Sequence, residues 1–263
     1  MAVTRNTPFD ALIEHINQSG YHNHRKVNHS DIVSRGIFVD LLQTCSYIKQ
    51  DFDSGVINQW LNVESPGGRE RNIDLFVGEV DPMNSGPTLS KIRICCENKS
   101  VITAHRNATN RFDDLEAVAQ TINGARAEAI VVATVLVGIS EKYLNVADRI
   151  KPYRTPVQFK KLLKRFSTGD EALFTEFPPA VSANTANDFE RTIKTFRKIQ
   201  VRQPGRTHED GCDALLIIPV RVDNVHKAEV ARDNPFGIDV DADYQRMLQT
   251  VCAGYRARWH PMS

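Results

Sequence analysis

Several things are scarce in this chain of 263 residues. It has five cysteines (Cys45, Cys95, Cys96, Cys212 and Cys252), an odd number with no CxxC spacing. That argues against a disulfide framework or a zinc knuckle and fits a reducing compartment. Long apolar runs are missing too. The richest, Ala129 to Ile139, has 11 residues, too few to span a bilayer, and Met1 to Asp10 lacks the apolar core of an export signal. The expectation is a cytoplasmic protein with no membrane partner. Phosphate-cradling GxxxxGK, dinucleotide GxGxxG and nucleophile-elbow GxSxG patterns are absent, so ATP-driven, nucleotide-cofactor and serine-hydrolase chemistries lose support. Charge of one sign is also missing: 33 Lys plus Arg face 32 Asp plus Glu, a net of +1. A uniformly basic nucleic-acid binder is thereby excluded.

A localised one is not. Residues 1–150 carry 15 basic and 18 acidic side chains, residues 151–206 carry 12 and 5, and residues 207–263 carry 6 and 9. A segment of net +7 is hidden between two flanks of net −3, an asymmetry that points to a polyanion.

With 41% hydrophobic and 25% charged residues, the chain is long enough to bury a sizeable core. Phe9, Leu12, Ile13 and Ile16 have helical spacing that Gly20 ends. Asp31 is placed to cap a longer helix carrying Ile32, Ile37, Val39, Leu41 and Leu42. A short segment, Trp60 to Val63, leads to the turn Ser65-Pro66-Gly67-Gly68. Asn72 to Gly78 and Lys91 to Lys99 read as strands joined by a Pro/Gly-rich loop. Leu115, Val118, Ala119 and Ile122 make one stripe of a helix from about Asn107 to Ala125. Ala129 to Ile139, rich in Val and Ala without alternation, is a strand covered on both faces. Basic helices follow, then an apolar strand at Ala214 to Val222 and a closing helix from Asp241 to Trp259. The expected organisation is residues 1–150 as N-terminal helices and catalytic core. Residues 151–263 then supply a basic helical segment, a further strand and a C-terminal helix on the same core.

The chemistry concentrates in two strands. Asp74 is an acid inside an apolar strand. Glu97 and Lys99 stand at i and i+2 near the end of Ile92-Arg93-Ile94-Cys95-Cys96-Glu97-Asn98-Lys99, and so share a face. Charges at the ends of apolar strands are costly unless they pair or bind a metal. Two converging carboxylates suit a hard divalent cation such as Mg²⁺, and an adjacent lysine can orient a water or stabilise charge on a phosphate. An internal salt bridge at a sheet edge is the alternative for the same three residues.

Asp74, twenty-two intervening residues and Glu97-Asn98-Lys99 resemble the PD-(D/E)XK nuclease superfamily, particularly the type II restriction endonucleases. The pattern there is an Asp on one strand and an (Asp/Glu)-X-Lys on the next, within an αβββαβ core. The order of elements across residues 31–139 is similar. Ile73 departs from the pattern, standing where a loosely kept Pro would precede the Asp. The resemblance implies an α/β fold with a central mixed sheet flanked by helices. It further implies that Asp74 and Glu97 ligate Mg²⁺, that Lys99 helps activate water for phosphodiester hydrolysis, and that a homodimer cuts double-stranded DNA. Some members add an acid from the preceding helix or strand, for which Asp40 and Glu64 are the candidates. A nuclease of repair, recombination or phage defence, and a non-enzymatic DNA-binding protein, remain as alternatives.

Candidate DNA contacts follow from position. Lys160, Lys161, Lys164 and Arg165 share one helix face. Arg191, Lys194 and Lys198 form a second stripe opposite Phe189, Ile193 and Phe196. Such contacts bind phosphates without reading sequence. His105, Arg106, Asn107 and Arg111 begin the helix after the motif strand, where Arg and Asn can reach base edges; a helix cap and surface charge account for them equally well. His22, His24 and His29 read as a polar surface loop.

Overall fold

A computed structural model describes residues 6–19, 28–64, 72–81, 83, 86–102, 105–145, 155–176, 180–203 and 210–261. The turn expected at Ser65 to Gly68, and His22 and His24, lie outside these. The elements in order are α1 (Pro8–Ser19), α2 (Asn28–Thr44), α3 (Ser46–Asp53), β1 (Ile57–Glu64), β2 (Asn72–Glu79), β3 (Ile92–Val101), α4 (Ala108–Ala125), β4 (Ile130–Gly138) and β5 (Lys142–Asn145). They continue with α5 (Pro156–Ser167), α6 (Glu171–Glu176), β6 (Ala180–Ala183), α7 (Ala186–Phe196), β7 (Ala214–Arg221), β8 (Glu229–Val230) and α8 (Val240–Trp259).

Six strands form one mixed sheet in the order β1-β2-β3-β4-β7-β8. β1, β2 and β3 are antiparallel neighbours, whereas β3, β4 and β7 run parallel. A parallel step requires a crossover, and α4 supplies it between β3 and β4. β4 is buried at every position, as its unbroken Val/Ala run requires of a strand covered on both faces. One helical group (α2, α3 and α8) and another (α4 and α7) flank the sheet. The mixed α/β architecture expected from the sequence is therefore present. β7 sits inside the sheet and α8 packs on it, so the last third of the chain completes the same core. α5 and α6 build a smaller apolar cluster of their own from Phe159, Leu162, Leu163, Phe166 and Leu173, joined by Leu144.

Two features differ from the sequence reading. α2 starts at Asn28, so Asp31 lies in its first turn instead of capping it. Cys45 and Cys252 form a disulfide with Cα atoms 5.3 Å apart, linking the α2–α3 junction to α8. The partners are separated by 207 residues, so no spacing rule could pair them. The expectation of a chain without disulfides is thus corrected, and with it the cysteine-based argument for a reducing compartment. Cys95, Cys96 and Cys212 are free and buried. Among the described residues, no helix is long and apolar enough to cross a membrane.

Candidate active site

The β2–β3 ladder runs through Phe76↔Cys95 and Leu75↔Cys96 and stops. Beyond that pair β2 continues along β1, through Val63↔Ile73, while β3 continues along β4, through Lys99↔Val135. The strands part where Asp74 and Glu97 would otherwise face each other. Backbone groups freed by such a split need new partners, and the two carboxylates provide them. Asp74 N–H donates to Glu97 Oε2 at 3.3 Å, and Asn98 N–H donates to Asp74 Oδ2 at 2.7 Å. Lys99 Nζ pairs with Glu97 Oε1. The three residues picked out by the period-2 argument are therefore in one place.

The first turn of α2 covers this split. The Ser30 hydroxyl donates to Asp74, and Asp31 lies close enough to oppose its ionisation. Asp31 also accepts a hydrogen bond from Asn62 Nδ2 at 2.6 Å. Asn62 holds a positive φ of 52° within β1, a conformation that asparagine tolerates better than most residues. Asn98 donates from Nδ2 to Ser34 Oγ at 2.8 Å and accepts from Thr134 Oγ1 at 2.6 Å. A cleft of about 200 Å³ opens here, lined by His29 and Ser30 of α2, Asp74, Asn98, Lys99 and Ser100 of the sheet, and Arg111 of α4.

Burial dominates the electrostatics. Glu97 is 2% exposed, and its carboxyl is pushed up to about 7, first by burial and then by the Asp74 charge, against the pull of Lys99. Asp74 is raised for the same first reason, opposed by Lys99 and reinforced by Asp31. Two carboxylates held together in a poorly solvated place disfavour their own ionisation. A divalent cation between them would relieve that cost, and the hard oxygen donors fit Mg²⁺. No group of three or more His, Cys, Asp or Glu side chains able to hold a metal occurs among the described residues, so the carboxylate pair is the whole of the candidate ligand set.

Neither proposed extra acid joins it. Asp40 accepts the Tyr244 hydroxyl at 2.6 Å, serving the α2–α8 contact. It stands nine residues along α2 from Asp31, about 13 Å at helical rise. Glu64 is exposed at the C-terminal end of β1, paired with Asn72 two residues from Asp74, and does not line the cleft. The acid nearest Asp74 from the preceding helix is Asp31. Ser30 and Ser34, four residues apart, share a helix face with this site, a signal that shows once the helix is started at Asn28.

The expected DNA contacts separate into three kinds. His105 is corrected outright: it is 5% exposed, its Nδ1 lies 2.9 Å from Thr192 Oγ1, and its ring meets Phe189 edge to face. Burial lowers its proton affinity, and it ties the β3–α4 connection to α7. Arg106 and Asn107 are exposed on a single 3-10 turn, and Asn107 makes no capping hydrogen bond. Arg111 lines the cleft itself.

On α5, Lys160, Lys161 and Lys164 are exposed opposite the small apolar cluster, while Arg165 pairs with Asp170. Along α7, Arg191 pairs with Asp188 and Lys194 with Glu190, and Lys198 lies two residues past the helix end. The α7 stripe is thus largely offset by its own acids, and the α5 stripe is the stronger field. Compared with known proteins, the chain matches no family model, no curated protein and no solved structure.

Proposed function

We propose that this chain is a Mg²⁺-dependent endonuclease that hydrolyses phosphodiester bonds of double-stranded DNA, acting as a sequence-specific enzyme of the restriction type. The observation that carries the reading is the split between β2 and β3, beside which Asp74 and Lys99 line one cleft, with Glu97 buried against both. A salt bridge alone would satisfy Lys99 with Glu97. It would not account for the second, half-buried carboxylate, whose ionisation its surroundings disfavour.

Asp74 and Glu97 would hold the cation, which when bound supplies Lewis acidity toward the phosphate and a more acidic water. Lys99, held by Glu97, would orient the attacking water and offset negative charge building on the phosphate. Asn98 and Ser30 hold the Asp74 carboxylate in one orientation, so that little reorganisation is needed at the moment of reaction. Exposed lysines on α5 would track the phosphate backbone. A homodimer would bring one such site to each strand of the duplex.

The test is incubation of purified protein with high-complexity genomic DNA and Mg²⁺, beside Asp74→Asn and Lys99→Ala variants. Discrete fragments from wild type, lost in EDTA and in both variants, support the reading. An inert wild type, or variants that cut normally, would overturn it. Salt-sensitive binding without cleavage would leave a DNA-binding protein.

A further inference from the structure

We infer that Arg111 is a catalytic residue of this site, the group that neutralises charge building on the scissile phosphate, and that Asp114 holds it in reserve until DNA binds. The inference rests on the nuclease reading above and assigns a role that the two carboxylates and the lysine leave unfilled.

The argument starts from the cations around the cleft. Among the described residues that line it, Lys99 and Arg111 carry permanent positive charge. Lys99 is committed: its ammonium is engaged by Glu97, whose side chain is only 3% exposed. A lysine held that way serves the water and the carboxylates beneath it. Arg111 lines the same cleft from the first turn of α4, with 47% of its side chain exposed. It pairs with Asp114 at 3.2 Å, one turn along the same helix. An exposed pair at i, i+3 holds its arginine by only about a factor of two in equilibrium constant. A phosphate offers the guanidinium a shorter, two-pronged and charge-assisted contact. Exchange of Asp114 for phosphate is therefore favourable once DNA occupies the cleft.

In hydrolysis, water attacks phosphorus and gives up a proton to solvent, the bond to the leaving oxygen breaks, that oxygen takes a proton from solvent, and negative charge builds on the non-bridging oxygens meanwhile. Asp74 and Lys99 line the cleft from the sheet and Arg111 lines it from α4, within the space a bound phosphate would occupy. Arg106 and Asn107, exposed and adjacent in sequence, do not line the cleft, so this role separates Arg111 from its neighbours.

The test uses the full-length protein and an oligonucleotide duplex carrying a site recovered from the genomic digest. Single-turnover cleavage at saturating enzyme is compared for wild type, Arg111→Ala, Arg111→Lys and Arg246→Ala, the last an exposed arginine of α8 paired with Asp243, with DNA affinity measured in Ca²⁺. Arg111→Ala is expected to lower the cleavage rate by about 10²–10³-fold, as for loss of an oxyanion donor, while affinity changes less than about threefold. Added guanidinium should restore part of that rate, which a folding defect would not permit. Arg111→Lys should fall between, and Arg246→Ala should cut at the wild-type rate. An unchanged rate in Arg111→Ala, or a loss confined to affinity, would overturn the inference and leave the nuclease reading intact. An inert wild type would remove both.

Discussion

Replacing Glu97 by glutamine separates the cost of the site from its purpose. Glu97 is 2% exposed, and its carboxyl is raised from an ordinary 4.5 to about 7. At about 1.4 kcal/mol for each tenfold in proton affinity, the ionised side chain destabilises the folded protein by up to about 3 kcal/mol. That figure is already net of Lys99, whose attraction works against burial. The sign follows from the two states. Below pH 4.5 the carboxyl is protonated both folded and unfolded, and stability is full. As pH rises the unfolded chain ionises first, and stability is lost until the folded site ionises near 7. Above about pH 8 the whole cost is present.

Glutamine has the same shape and never ionises. In EDTA, Glu97→Gln should match wild type near pH 4.5 and exceed it by up to about 3 kcal/mol at pH 8, read by urea unfolding at both pH values. Magnesium should narrow that gap by about half. A cation at tenfold its dissociation constant adds about 1.4 kcal/mol to a protein that binds it, and Glu97→Gln lacks half the ligand pair. Equal pH dependence in the two proteins would refute the assignment of a strained carboxylate. Equal stabilisation by Mg²⁺ would refute its role as a ligand.

Three further outcomes follow from other parts of the fold. Reducing the Cys45–Cys252 disulfide, or Cys252→Ser, should lower unfolding free energy by up to about 5 kcal/mol, the loop-closure entropy of a crosslink across 207 residues; thermal melts with and without dithiothreitol measure it. Asp51 accepts from Arg93 at 2.6 Å, the Tyr255 hydroxyl at 2.7 Å and His260 Nε2 at 3.0 Å. Asp51→Ala removes one of the two carboxylates on Arg93, with Glu79 left on its Nε at 3.0 Å, and should cost about 1–3 kcal/mol in denaturant unfolding, the range for buried donors that lose their acceptor. Replacing Lys160, Lys161 and Lys164 together by alanine should reduce the slope of log affinity against log salt by up to about 2.7 for double-stranded DNA, measured by fluorescence anisotropy, with no change in the saturated cleavage rate.

How much of this was legible in the sequence depends on how local its cause is. Asp74, Glu97 and Lys99 could be found because charge inside apolar strands breaks a period of two, a pattern visible over eight residues. β4 and α4 were legible for the same reason. β1 was not: Asn58, Gln59 and Asn62 interrupt its apolar residues, and what makes it a strand is pairing with β2. Asp31 was read as a cap because the helix start was set three residues late. Burial of His105 depends on Phe189 and Thr192, more than eighty residues away, and nothing near His105 announces it. Asp40 and Glu64 stayed open as candidates because direction on a helix and exposure on an edge strand are not local properties: Asp40 turns to Tyr244, and Glu64 to solvent.

What joins these points is the first turn of α2. Ser30 reaches Asp74, Asp31 reaches Asn62, and Ser34 reaches Asn98, which in turn meets Thr134 on β4. One helical turn thus ties four strands together at the point where two of them part. Separating β2 from β3 forfeits ladder hydrogen bonds, and withdrawing two carboxylates from water there raises the proton affinity of both. Such a site stays open only if its surroundings hold it. The positive φ of Asn62 fits that account, since a residue in an unusual conformation inside a strand persists when its side chain has a fixed task. Here the task is to anchor Asp31. The polar residues that a hydrophobic pattern passes over are therefore the ones that keep the candidate site in shape.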